Sequence, residues 1–163
     1  MLILGLDPGA TTGWCAYDTA TSSVVRCGHF SNSDAPYGLI GMSFDATVIE
    51  RPKGYGATYP QVVDAAWHAG ILWQQFGRCH TLERREVRAI LTDATLGTVR
   101  VKNDASAWAA LVLLHGDGSD KRAKTRKGEI VEAGGPLGGV TSHARAALAV
   151  AYAWWLQSAK GKP

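Results

Sequence analysis

Short apolar runs separated by turn-forming residues dominate the first half of the chain and predict strands. The first run, residues 2–6, contains no polar residue, which is typical of a strand buried on both faces of a sheet. Pro8-Gly9 turns the chain after this run, and the next two runs return as an antiparallel meander. The five predicted strands are residues 2–6, 13–17, 23–30, 46–49 and 79–82.

Helical periodicity dominates the rest of the chain. The four predicted helices are residues 60–76, residues 84–91, a helix from Asn103 or Asp104 to His115, and a helix from Thr141 or Ser142 to about Ser158. The mixed Arg and Glu residues of the second helix are typical of a solvated face. In the first helix, apolar positions recur three and four apart and predict a face that packs on the sheet or on a second subunit. These positions are Val63, Ala66, Gly70 and Trp73.

Strands and helices in 163 residues, with 46% apolar and 19% charged residues, predict a single α/β domain over residues 1–163. No apolar run approaches the roughly 20 residues of a membrane span. Asp7 interrupts the opening run too early for a signal peptide. The three cysteines have no metal-binding spacing and are typical of reduced thiols. We therefore expect a cytoplasmic protein with no membrane partner.

The net charge of +3 conceals an asymmetry between the two halves of the chain. Residues 1–77 contain three basic and six acidic residues, whereas residues 78–163 contain fourteen and eight. An acidic half beside a basic half suits a protein that gathers cations at one place and a polyanion around it.

Two carboxylates stand at the ends of predicted strands. Asp7 follows the first strand and precedes a tight Pro8-Gly9 turn, and Glu50 follows the strand of residues 46–49. A buried strand carries an ionisable group only when something neutralises it. Asp7 alone could be a turn-capping residue, but two such positions favour a site for a metal ion or a phosphate.

Two loops carry cations suited to nucleic acid. In residues 51–58, Arg51 and Lys53 could contact phosphates and Tyr55 could stack on a base, although a solvated connector is an equal alternative. Residues 117–139 form a predicted flexible loop that ends in a glycine-rich linker over residues 134–139. This loop contains the densest basic cluster of the chain, expected to hold a DNA backbone: Lys121, Arg122, Lys124, Arg126 and Lys127.

The opening hairpin resembles two superfamilies. Actin-like and sugar-kinase-like ATPases carry an Asp-x-Gly turn that cradles phosphate, and ribonuclease H-like nucleases carry the same hairpin with the Asp as a metal ligand. The ATPases need two such domains, and this chain is long enough for only one ordinary domain.

Three motifs together resemble the RuvC family of Holliday junction resolvases, most closely its phage members. They are Leu-Gly-Leu-Asp7-Pro-Gly, Val-Ile-Glu50, and His143-Ala-Arg-Ala146 in the last predicted helix. The resemblance implies a ribonuclease H-like fold with a five-stranded mixed sheet, an antiparallel meander followed by parallel strands, flanked by helices. It also implies a homodimer with two Mg²⁺ or Mn²⁺ ions per active site, which cuts two symmetric strands of a four-way DNA junction. A phage-encoded member would work in the host cell cytoplasm.

The resemblance also implies roles for individual residues. Asp7 would bridge both metal ions, Glu50 would bind one ion and orient the attacking water, and His143 would be a ligand or a proton carrier. Lys102, just ahead of a predicted helix, is similar in placement to a family lysine near the scissile phosphate.

The sequence departs from the family at one position. The family carries a carboxylate one helical turn after the position of His143, and this chain has Ala146 there. Hard divalent cations need several oxygen ligands, so we expect a weakened second metal position and an inactive chain. Ala146 is either an engineered change from Asp, which the completeness of the other motifs favours, or a mark of a natural binding-only relative.

The sequence therefore predicts a metal-dependent endonuclease that resolves four-way junctions and other branched DNA, inactivated at position 146. The alternatives are a ribonuclease H-fold nuclease of another specificity, for RNA or unbranched DNA, and a catalytically dead junction-binding protein.

Overall fold

The structure of the chain is a computed structural model, which describes residues 1–32, 34, 39, 41–54, 59–115, 123–124, 130–131 and 135–160. It contains a sheet of five strands: β1 (Leu2–Asp7), β2 (Thr11–Asp18), β3 (Ser23–Ser31), β4 (Ala46–Arg51) and β5 (His80–Glu83). Their order across the sheet is β3-β2-β1-β4-β5. β2 runs antiparallel to β1 and β3, whereas β4 is parallel to β1 and β5 is parallel to β4. The predicted mixed sheet, with a meander followed by parallel strands, is confirmed.

Four helices flank the sheet: α1 (Pro60–Phe76), α2 (Arg84–Ala94), α3 (Asp104–His115) and α4 (Ser142–Lys160). A second ladder of two residues per strand, β6 (Ala123–Lys124) with β7 (Ile130–Val131), lies within the segment predicted to be a loop. The predicted limits of α1 are correct, and Asn103 is the residue that precedes α3, accepting a hydrogen bond from the backbone N–H of Ser106 at 2.9 Å. No helix in the described part of the chain is long and apolar enough to cross a membrane.

The sheet separates two apolar clusters. On one face, α2, α3 and α4 pack around fully buried side chains such as Ile3, Leu111 and Leu148. On the other face, Leu72 of α1 packs against Leu4 and other residues of β1 and β4. α4 crosses β1 and β2 closely, because glycines face it: a Cβ on Gly5 would stand 2.0 Å from the carbonyl oxygen of Ala147.

The predicted packing face of α1 does not pack on the sheet. Val63 and Trp73 are 52% and 46% exposed, and no atom of the described chain beyond the helix itself lies within 4 Å of a Cβ placed on Gly70. The buried residues of the helix are Ala65 and Leu72, on the opposite side. The pattern Val63, Ala66, Gly70 and Trp73 therefore marks an apolar face that the described residues of the chain leave uncovered.

The described end of the predicted flexible linker is packed. Residues 135–139 form turns, and Leu137 is 1% exposed in the larger core cluster. The carbonyl oxygen of Pro136 accepts a hydrogen bond at 2.8 Å from the backbone N–H of Val24 in β3. An apolar residue among the glycines anchors this turn, so it is not a free linker.

Candidate active site

Asp7 and Glu50 lie side by side at the carboxyl ends of neighbouring parallel strands. Asp7 ends β1 and Glu50 is the last residue but one of β4, and the paired register Leu6 with Ile49 brings the two residues next to each other. Their side chains are 15% and 10% exposed. Buried carboxylates at this spacing repel each other unless a cation lies between them.

Arg84 supplies that cation. It is the first residue of α2, which begins directly after β5. Its Nε donates a hydrogen bond to Glu50 Oε1 at 2.7 Å, and its Nη2 donates one to Asp7 Oδ1 at 3.3 Å. One guanidinium therefore bridges both predicted site carboxylates.

Asp104 brings a third carboxylate to the same guanidinium. It is the first residue of α3, and its Oδ1 lies 3.9 Å from Arg84 Nη1. Its side chain is 64% exposed, so this contact is weaker than those of Asp7 and Glu50.

The electrostatics of the site follow from burial. Burial, and then the charge of Glu50, raise the pKa of Asp7 from its ordinary value of 3.8 to about 7, against the opposing effect of Arg84. Burial also raises the pKa of Glu50, with Arg84 again opposing it. Burial disfavours the charged form of Arg84, but contacts with Glu50 and Asp7 outweigh it and raise the pKa of the guanidinium. Arg84 is therefore a permanent cation held among acidic groups.

His143 lines the cleft beside Asp7. This cleft has a volume of about 380 Å³, and its walls also include Asp104 and Ala146. The ring of His143 lies 5.9 Å from the ring of His29 between centroids. In the same cleft, the Arg145 guanidinium carbon lies 4.5 Å from the centre of the Trp108 ring, a cation–π contact.

The three predicted site residues do not form a ready metal cage. In the described part of the chain, no group of three His, Cys, Asp or Glu side chains is arranged as the ligands of one metal ion. The donor chemistry nevertheless fits one hard cation at Asp7 and Glu50, since carboxylate oxygens are the ligands that Mg²⁺ and Mn²⁺ prefer. Arg84 occupies one oxygen of each carboxylate, and no other described residue bonds to Asp7 Oδ2 or Glu50 Oε2.

Only some of the predicted DNA-binding residues lie near the site in the described part of the chain. Arg51 and Lys53 both pair with Glu83, and the Lys53 Nζ to Glu83 Oε2 distance is 3.1 Å. Lys53 and Arg51 lower the pKa of Glu83 in return. Both cations also line a pocket of about 240 Å³ that includes Glu50, so they lie at the edge of the site.

Lys102 is exposed just before α3, two residues from Asp104. Tyr55 lies outside the described residues, and so do four members of the basic cluster: Lys121, Arg122, Arg126 and Lys127. Lys124 is described only by its backbone, in β6.

Arg84 and Asp104 were missed by the sequence analysis. Arg84 was assigned to a solvated helix face, which is wrong for this residue because its side chain contacts two buried carboxylates. The available signal was the position of each residue, at the first turn of a helix after a strand or loop, where the side chain can reach the strand ends. Sequence spacing alone does not give the distance between α2, α3 and β1.

The order and directions of the five strands, with a buried carboxylate pair at the ends of β1 and β4, define a ribonuclease H-like fold. Among solved structures, the chain is similar to T. thermophilus RuvC in complex with a Holliday junction substrate, with a TM-score of 0.59 and 12% sequence identity. The similarity covers 99% of this chain and 96% of that chain. No protein-family model and no curated protein matches the sequence. The chain therefore has a RuvC-like fold.

Proposed function

We propose that this chain is a divalent-metal-dependent endonuclease that acts on four-way DNA junctions and other branched DNA. The observation that carries the proposal is the meeting of Asp7 and Glu50 at the carboxyl ends of neighbouring parallel strands. The fold adds support, because the similar RuvC structure contains a Holliday junction substrate. The resemblance of the motifs to phage members of that family points to the same class of substrate.

The described residues suggest how the site would work. Asp7 and Glu50 would hold Mg²⁺ or Mn²⁺ through the oxygens that Arg84 leaves open. When bound, such an ion activates water and offsets the charge of the scissile phosphate. Glu50 would orient the attacking water, and His143, which shares the cleft with Asp7, would carry a proton or add a ligand.

Ala146 limits this chemistry. It lines the same cleft as Asp7 and His143, and its methyl group offers no oxygen to a second ion. We therefore expect the chain to cut slowly or not at all as it stands, and to gain activity when a carboxylate is placed at position 146.

Cations around the cleft would hold the DNA backbone. Lys102 is exposed two residues before Asp104, which lines the cleft, and Arg51 and Lys53 line a neighbouring pocket with Glu50. The basic cluster of residues 121–127 would add further phosphate contacts.

The uncovered face of α1 would form a homodimer contact. Four of its apolar side chains, which we call the α1 patch, are Val63, Trp67, Ile71 and Trp73, exposed by 52%, 71%, 44% and 46%. Several exposed apolar side chains on one helix, two of them tryptophans, are typical of a protein interface. A second copy is the occupant we propose, because the cutting of two symmetric strands requires two active sites.

Two other functions compete with this proposal. A nuclease for RNA or unbranched DNA could use the same carboxylates, and a binding-only protein would need only the cations.

Competition binding distinguishes the substrate classes. A labelled four-way junction is titrated with the chain in EDTA, with linear duplex of the same sequences as competitor. We expect the junction to be bound at least about tenfold more tightly. Equal affinity for the linear duplex would favour a nuclease of other specificity.

A further inference from the structure

We propose that Arg84 is a built-in counter-ion of this site: its guanidinium, bonded to Glu50 and Asp7 and close to Asp104, takes the place of one of the two divalent ions that the resemblance implies. The chain would then bind a single divalent ion. This inference rests on the proposed function, because it concerns the charge balance of the same carboxylates.

The contacts of Arg84 differ from those of an ordinary surface ion pair. Three of its nitrogens each meet a different carboxylate, Glu50 at 2.7 Å, Asp7 at 3.3 Å and Asp104 at 3.9 Å. These carboxylates come from β4, β1 and α3, which are far apart in sequence. A cation that collects carboxylates from three elements occupies the position that a metal ion takes in a carboxylate site.

The position of Ala146 connects this arrangement to the missing carboxylate. Ala146 and Asp104 together line the cleft that contains Asp7 and His143, and they together line a second, smaller pocket that contains Glu50 and Arg84. The side of the site that lacks a carboxylate on α4 is therefore the side where Asp104 and Arg84 meet. Asp104 supplies from α3 a negative charge that position 146 does not.

The remaining donors and charges suit one ion. Each of Asp7 and Glu50 keeps one oxygen that no described residue bonds, which is enough to bridge one small cation. When all are ionised, the three carboxylates and the guanidinium of Arg84 together carry a net charge of −2, which one divalent ion would neutralise. Arg88, one turn along α2, offsets part of the charge of Glu50 and further disfavours a second ion.

The competing explanation is that Arg84 is only a structural ion pair that fixes the start of α2. Both explanations predict some loss of stability when Arg84 is removed, because buried carboxylates lose their partner. Only the counter-ion explanation predicts that divalent ions bind more tightly once Arg84 is gone.

Calorimetric titration of the full chain with MnCl₂, without DNA, distinguishes the two explanations. The variants are Arg84→Ala and Arg84→Lys, and Arg85→Ala is the matched control. Arg85 is the exposed neighbour on α2, so its loss changes the net charge equally. Circular dichroism of each variant monitors the fold.

We expect one Mn²⁺ per chain in the unmodified protein. Arg84→Ala should raise the Mn²⁺ affinity by about tenfold or more, and Arg85→Ala by less than about twofold, because a charge at contact distance acts more strongly than a screened one. If Arg84→Ala does not fold, Arg84→Lys is tested instead. We expect a several-fold rise in its Mn²⁺ affinity, since Lys cannot bond to two carboxylates in the manner of a guanidinium.

Two ions bound by the unmodified chain, or equal effects of the Arg84 and Arg85 variants, would overturn the inference. These results are independent of DNA cutting. A chain that binds one Mn²⁺ as expected, but whose Ala146→Asp variant cuts no branched DNA, would contradict the proposed function and not the role of Arg84.

Discussion

Gly13 of β2 lies directly against His143 of α4. A Cβ on Gly13 would stand 2.2 Å from the carbonyl oxygen of His143 and 3.0 Å from its Cβ. Gly13 is also the strand partner of Asp7 across β1 and β2. The close approach that only glycine allows therefore places the N-terminal end of α4, with His143 and Ala146, beside the carboxylate of Asp7.

The variant Gly13→Ala should destabilise the protein by about 1–3 kcal/mol or more, because the contact is with backbone and neither element can move without repacking the core. Urea unfolding monitored by circular dichroism measures this change in the free energy of unfolding. Gly70→Ala is the control, since its Cβ would meet no atom within 4 Å, and we expect it to stabilise the helix by about 0.5–1 kcal/mol at concentrations where the chain is monomeric. Equal stabilities of the two variants would contradict the packing of α4 on β2.

The raised pKa of Asp7 predicts how stability depends on pH in the absence of metal. Its pKa is 3.8 ordinarily and about 7 in the fold, so the folded state binds the proton more tightly than the unfolded state. The stabilisation of the fold by the protonated Asp7 is fully present below the unfolded pKa of 3.8 and is lost as the pH rises through the folded pKa of about 7. In EDTA, the Tm should therefore fall as the pH rises from about 4 to about 7, and Asp7 should add no further change above that.

Two comparisons check this assignment. Asp7→Asn should remove most of that pH dependence, and Mg²⁺ should raise the Tm more at the higher pH, because the ion binds the ionised carboxylate. If Asp7→Asn keeps the full slope in thermal melts, another group causes the dependence.

The sequence predicted the sheet and the limits of α1, and it placed two carboxylates at strand ends, because these features depend on local patterns. Residues 2–6 are apolar throughout, and Asp7 and Glu50 each follow a predicted strand, so their approach follows from parallel neighbours. Arg84 and Asp104 could not be placed in the same way. Their part in the site depends on how α2 and α3 pack against α4, and no sequence period encodes that packing.

The periodicity of α1 predicted an apolar face, but it did not say whether this face packs on the sheet or on a second subunit. Both faces of this helix carry apolar residues, Ala65 and Leu72 on the packed side and Val63 and Trp73 on the other. Spacing alone cannot say which of two apolar faces meets the sheet.

The α1 patch predicts a dimer that a single charge should disrupt. Trp67 is 71% exposed, and Trp67→Glu would bury an unpaired charge in the interface at no cost to the core. Sedimentation velocity should show the unmodified chain as a dimer and this variant as a folded monomer. Gln75→Glu, exposed on α1 but not in the patch, should remain dimeric. A dimeric Trp67→Glu variant would place the interface elsewhere.

The basic cluster predicts a strong salt dependence of junction binding. Replacing Lys121, Arg122, Lys124, Arg126 and Lys127 by alanine should make the slope of log affinity against log salt shallower by about 2 or more, given roughly 0.9 for each lost phosphate contact. Fluorescence anisotropy over a salt series measures the slope. Lys160→Ala is the control, because Lys160 pairs with Asp93 at 2.5 Å at the far end of α4. An unchanged slope would show that this segment does not contact DNA phosphates and is only a solvated connector.

The most direct test of the account is cutting of an end-labelled four-way junction in Mg²⁺ and in Mn²⁺ by the unmodified chain and by Ala146→Asp. The added carboxylate should favour a second divalent ion over Arg84 and raise the rate on the order of a thousandfold, with cuts at symmetric positions and little cutting of linear duplex. Asp7→Asn in the Ala146→Asp background should abolish the cutting. Failure of Ala146→Asp to cut any branched DNA, or cutting that survives the loss of Asp7, would contradict the assignment of Asp7 and Glu50 as a nuclease site.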